Sequence, residues 1–184
     1  MMDEIEMDYS NINWSDNIIF QFNGNYSFLS TFFPSIIILN LYVNNEYKPI
    51  KFKDIETAYE YGKAYFAHDC INMKNILNTM SPRDAQIIGN NNIKFLNEND
   101  LINWENNKFQ WMYNINYEKF NQNIDLQIKL VETYPKILIN GNIWNDKYWG
   151  YSLQDQTGSN NLGIILMLIR DRFIHHQNLN LFPL

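Results

Sequence analysis

At Asp54 the apolar pattern of the chain changes its period, and that change constrains the fold more than any other feature. Before it, β-branched and aromatic residues come in short runs at Ile18 to Phe22, Ser35 to Val43 and Ile50 to Lys53. The Asn23-Gly24-Asn25 turn, a loop closed by Pro34, and the Asn44-Asn45 turn before Pro49 separate them. Short runs bounded by turn residues predict strands, so a small antiparallel sheet is expected first. After it, Ile55, Ala58, Tyr59, Gly62 and Phe66 recur at helical spacing, with Asp54 placed to cap the first turn. Further helices are expected near 71–79, 82–89, 101–120, 124–134 and 160–174. Ser81-Pro82 opens one of them with a capping serine and a proline at the first helical position. The composite is an α+β fold, mainly α-helical, with a small N-terminal antiparallel β-sheet.

The 184 residues contain no repeat and no Pro/Gly/Ser linker, which predicts one domain over 16–184 behind a loose acidic tail over 1–15. A domain of this size buries roughly 70% of the surface its unfolded chain exposes, so a sizeable core is available. The net charge of -6 argues against a protein that holds nucleic acid by neutralising phosphates. A small phosphorylated ligand stays open, because one or two basic groups serve it. The single cysteine, Cys70, excludes an internal disulfide and a cysteine zinc cluster. It fits a reducing compartment and is expected to pack as a small apolar side chain. The acidic start lacks the basic and apolar regions of a signal peptide, and the apolar runs Ile36 to Leu39 and Leu162 to Ile169 fall short of the ~20 residues that span a bilayer. The expectation is a soluble, cytoplasmic protein with no membrane partner.

Three units carry chemistry. On the first helix Glu56, Glu60 and Lys63 share one face, with Glu56 and Lys63 two turns and about 10 Å apart along the axis. The plain alternative is a solvated face with Glu60 and Lys63 paired at i,i+3. Trp104 opens a long helix and reads either as core or as a flat platform for a base, where stacking is worth about 1–3 kcal/mol. Asn145-Asp-Lys-Tyr-Trp-Gly150 precedes Gly158-Ser159-Asn160-Asn161-Leu162-Gly163 and an apolar helix. Backbone N–H groups at that helix start are candidates to receive a phosphate, the alternative being a turn with Asn160 as a cap. Asp146, beside Tyr148 and Trp149, is either an acid or base in a half-apolar pocket or a turn aspartate. His68, His175 and His176 form no ligand set, the last two being expected to end a helix. No metal motif and no cofactor motif is present.

Several stretches together resemble, in order and spacing, the motifs of the NADAR (YbiA-like) family. They are GNYSFLSTFFPS (24–35), ETAYEYGKAYF (56–66), SPRDAQIIG (81–89), Trp104, Lys119-Phe120, NDKYWG (145–150) and GSNNLGIILMLIR (158–170). The resemblance runs from about Ile18 to Arg172. It implies an N-glycosidase of nucleotide-like substrates: either removal of ADP-ribose from guanine bases of nucleic acid, or cleavage of ribosylaminopyrimidine phosphates of the riboflavin pathway. Carried over by residue, it implies catalytic roles for Glu56, Lys63 and Asp146, and substrate contacts by Trp104, Trp149, Asn160, Phe28, Ser30 and Gly158. It implies no cofactor and no metal. The partner is then a small nucleotide, or an ADP-ribosylated guanine in nucleic acid.

The chain departs from the usual motifs at Thr31, Thr57, Glu60 and Asn161, where Asn, His, Gln and Arg are usual. Loss of the last cation weakens a phosphate site. The implied chemistry needs negative charge near C1′ and a proton donor for the leaving nitrogen. Glu56 or Asp146 supplies the charge or activates water, and the other, or Lys63, protonates the base. In a second route Lys63 attacks C1′ and forms a Schiff base with the opened ribose. The rival reading is a non-catalytic ADP-ribose or nucleotide-binding module, which needs the aromatic wall but not both Glu56 and Lys63.

Overall fold

The structure is a computed structural model and describes residues 17–43 and 45–180, with side chains up to 175. The expected tail over 1–15, Asn44 of the expected turn, and the His176 side chain lie outside the described residues. In chain order the elements are β1 (Ile18–Ile19), a 3-10 helix (Gly24–Leu29), β2 (Ile37–Val43), β3 (Glu46–Phe52), α1 (Ile55–Phe66), α2 (Cys70–Leu77), α3 (Pro82–Asn91), α4 (Glu98–Gln122), α5 (Ile124–Glu132), β4 (Ile137–Leu138), β5 (Gly141–Asn142), β6 (Tyr151–Ser152) and α6 (Asn161–Asn180). The fold is α+β and mainly helical. Its contacts group into two units: Ser30–Ile128, and the chain up to Leu29 together with Lys129 onward.

In the Ser30–Ile128 unit, β2 and β3 form an antiparallel hairpin with Ile37 opposite Phe52 and Val43 opposite Glu46. Gln122 clamps its edge by accepting from Ile38 N–H and donating to Ile38 C=O, both at 2.8 Å. Four helices follow, each opened by a local signal. The Asp54 carboxylate accepts from Thr57 N–H at 2.7 Å, Asp69 from Asn72, Ser81 from Asp84 and Asn97 from Asp100. Such caps supply acceptors for helix-start donors that have no partner inside the helix. α1 packs against α2, α3 and α4, burying Ile55, Ala58, Tyr61 and Ala64. Cys70 is exposed, against expectation, because it stands just after the Asp69 cap while Asn72, Met73 and Ile76 form the buried side of α2.

The other unit corrects the expected sheet. β1 leaves the hairpin and runs parallel to β4, with Ile18 opposite Ile137 and Ile19 opposite Leu138. β5 and β6 make a second short parallel pair. α6 packs on β4 and buries Leu162, Ile165, Leu166, Ile169 and Phe173, the i, i+3, i+4, i+7 stripe that its sequence displays. It continues past His175-His176 to Asn180, so that pair does not end the helix. Arg170 is buried on the same helix and donates to Thr133 Oγ1 and to the Lys136 carbonyl. Among the described residues, no helix is long and apolar enough to cross a membrane, and no three His, Cys, Asp or Glu side chains group as metal ligands.

Candidate functional site

The polar face of α1 is not solvated. Glu56 is 8% exposed and Glu60 3%, because this face turns into the seam between α1 and α3. Glu56 Oε1 accepts from Gln86 Nε2 of α3 at 3.0 Å. Two turns further along α1, the Lys63 nitrogen donates to the Gly89 carbonyl at 2.7 Å instead of pairing with Glu60. The Glu60 carboxyl lies against the α carbon of Gly89, where any side chain would overlap it. Burial, reinforced by the negative charge of Glu56 and opposed by Lys63, pushes Glu60 up to about 8. The seam therefore holds two buried carboxyls and a half-buried lysine within two helical turns, with a fixed donor for one acid.

The start of α1 is pinned to the loop before it. Glu56 N–H donates to Thr31 C=O at 3.1 Å, and the neighbouring Ser30 C=O accepts from Lys119 Nζ at 3.0 Å. Ser30 Oγ accepts from Phe32 N–H and shapes the same turn. Lys119 is completely buried, its nitrogen 5.6 Å from the Phe33 ring centre and 5.3 Å from that of Phe120. Burial lowers its pKa to about 7, against the attraction of Asp54, whose own pKa burial raises. The sequence carried a signal for this: Met112, Ile115, Asn116, Lys119 and Phe120 fall on one helical stripe, and a lysine on a buried stripe is rare.

Trp104 joins this unit as core. It is 2% exposed and packs against Tyr59 and Phe66, with ring centroids 5.3 and 5.5 Å away. In this arrangement it offers no open face on which a base could stack.

The remaining expected residues fall in the other unit. Asp146 Oδ1 accepts from Tyr148 N–H at 3.1 Å and Trp149 N–H at 2.9 Å, the geometry of a turn aspartate. Asn142 holds the turn from outside, accepting from Asp146 N–H and donating to Asp146 C=O. Asn145 adopts φ 62°, a conformation that asparagine tolerates better than most residues. Trp149 is half-buried and meets Tyr148 edge to face at 4.7 Å. Phe28 is buried at the end of the 3-10 helix.

This loop lies directly against the start of α6, where a phosphate was the expectation and a turn capped by Asn160 its alternative. Ser159, Asn160, Asn161 and Leu162 N–H donate to the carbonyls of Lys147, Gly150, Tyr148 and Trp149. Four of the donors at this helix start are thus already occupied. Gly158, at φ 149°, passes so close to Gly150 that a side chain there would overlap its carbonyl. Asn160 is fully buried and clamps two backbones, accepting from Asn140 N–H and donating to Leu138 C=O, both at 2.9 Å. The order Asn-Asp-Lys-Tyr-Trp-Gly is therefore that of a self-capped turn whose outward carbonyls cap the next helix.

The comparisons with known proteins agree with this architecture. The chain is 36% identical over 92 residues to the N-glycosidase YbiA of Shigella flexneri serotype 5b (strain 8401). That match covers 50% of this chain and 54% of that protein, so the matched stretch spans about half the length of the relative. It is 27% identical over 153 residues to the N-glycosidase R617 of Acanthamoeba polyphaga mimivirus, covering 71% of this chain and 87% of that one. The NMR structure of the E. coli protein YbiA superposes with a TM-score of 0.69 over 89% of each chain at 25% identity. A family model described as the NADAR domain matches residues 19–174, and the chain belongs to that family.

Proposed function

We propose that this protein is an N-glycosidase that hydrolyses the bond between ribose C1′ and a base nitrogen in a nucleotide-like substrate. The observation that carries the reading is the seam of α1, two buried acids and a half-buried lysine with Glu56 held by Gln86, in a chain whose relatives bear the name N-glycosidase. Cleavage of a C1′–N bond passes through an oxocarbenium-like state. Glu56 supplies negative charge next to C1′ and takes a proton from the attacking water, while Lys63 gives a proton to the leaving nitrogen. A carboxylate in a buried seam acts strongly, because little water screens it. Asp146 is assigned to shaping its own turn, since its Oδ1 already accepts two backbone N–H groups.

The substrates that fit this chemistry are ADP-ribose linked to a guanine base of nucleic acid and a ribosylaminopyrimidine phosphate. The acidic net charge favours a single modified base or a small ligand over extended nucleic-acid binding. The test presents both substrates to purified protein and separates the products by chromatography. ADP-ribose release identifies an eraser of guanine modification, and ribose 5-phosphate release a metabolite hydrolase. In either case Glu56→Gln and Lys63→Ala should lower turnover by about 100-fold or more while leaving the fold intact. Borohydride reduction during turnover separates the routes: a sugar trapped on Lys63 would replace direct attack by water with a Schiff base. Equal inactivity of wild-type and Glu56→Gln protein on every N-glycoside, with equal binding of ADP-ribose, would make the protein a reader.

A further inference from the structure

Glu60 lies one turn after Glu56 on α1, and the fold has made room for its carboxyl. The absence of a side chain at Gly89 creates the recess, since a β carbon there would overlap Oε2 and stand 2.8 Å from Oε1. The residue is 3% exposed, and its Oε2 has no hydrogen-bond partner among the described residues. Residues four apart on a helix have β carbons about 6 Å apart, so Glu56 and Glu60 share this seam as neighbours. Two carboxyls so placed do not both ionise, and the one holding the better hydrogen bond to its anion keeps the charge. Glu56 has that bond, from the Gln86 amide, and Glu60 has none.

We propose that Glu60 is a positioning residue for Glu56: it serves as an un-ionised carboxylic acid, seated in the Gly89 recess, that leaves Glu56 as the one carboxylate of the seam and so keeps it on the Gln86 amide in its reactive orientation. This rests on the N-glycosidase reading above. Losing its proton sets a second negative charge one turn from the first, and the repulsion pushes the Glu56 carboxylate from its place. The charges acting on Glu60 are those of Glu56 and Lys63, both on α1, and none from α2, α3, α4 or β3. α3 presents Gly89 and the Gln86 amide, neither of which titrates. Together with burial they set the proton loss near pH 8, which becomes the alkaline limit of the enzyme.

The test compares wild-type protein with Glu60→Gln, an isostere that stays neutral at every pH. Wild-type kcat should fall about tenfold per pH unit above 8, while Glu60→Gln stays within about threefold of its neutral value across the same range. Urea unfolding of both proteins from pH 5 to pH 9 is the second arm. The variant should gain on the wild type as pH rises to 8, because the folded wild type holds a proton that its unfolded chain releases. An alkaline fall equal in both proteins, or a stability difference independent of pH, overturns the proposal. Turnover by neither protein would refute the N-glycosidase reading instead, and the urea arm then decides whether Glu60 is un-ionised.

Discussion

Replacing Lys119 with methionine removes a completely buried nitrogen and keeps most of the side-chain volume. The unfolded chain holds this lysine's proton up to its ordinary 10.5, and the folded protein only up to about 7. Between those values unfolding takes up a proton, so the wild type gains stability as pH rises through that window and has least below it. Each pH unit is worth about 1.4 kcal/mol, which puts the burial penalty near 5 kcal/mol at pH 7 as an upper bound. Methionine removes that penalty but also the bond to Ser30 C=O, worth about 1 kcal/mol, and leaves the carbonyl unpaired at a further 1–2 kcal/mol or so. It also takes away the cation that attracts Asp54. The net expectation is a variant more stable than the wild type by about 2 kcal/mol at pH 7, an advantage that vanishes by about pH 9. Urea unfolding followed by tryptophan fluorescence at half-unit steps from pH 6.5 to 9.5 measures it. Glu60 titrates in both proteins and cancels from the difference. A difference that stays flat over this range, or that grows in favour of methionine as pH rises, would refute the argument.

Gly89→Ala drives a methyl group into the Glu60 carboxyl and should cost about 1–3 kcal/mol, read by thermal unfolding. The same change should cost less in a Glu60→Ala background, and equal costs in both would show that the clash lies elsewhere. Asp146→Asn keeps an oxygen that accepts from Tyr148 and Trp149 N–H, so turnover should stay within about threefold of wild type, whereas a catalytic acid would lose about 100-fold or more.

The elements that local chemistry controls were legible in the sequence. The Asp54 and Ser81 caps, the change of period at Asp54, the six helices and the β2–β3 hairpin each depend on residues within a few positions of one another. The order of the motifs likewise pointed to the family that the comparisons show. What the helical period could not supply is the surface that each face meets. Spacing placed Glu56, Glu60 and Lys63 on one face, but only the approach of α3 turned that face into a buried seam with Gln86 and Gly89 opposite. Trp104 was open to two readings until Tyr59 and Phe66 enclosed it. The start of α6 resembled an anion site until the loop over 147–150 brought carbonyls to its N–H groups. Strand β1 found its partner in β4, far along the chain, instead of in the neighbouring hairpin. Sequence alone fixed which residues share a helical face and where helices begin, since both follow from backbone geometry over one or two turns. Tertiary structure decided which acids are buried and which polar atoms are already paired, because desolvation and hydrogen bonding depend on groups brought together from distant parts of the chain.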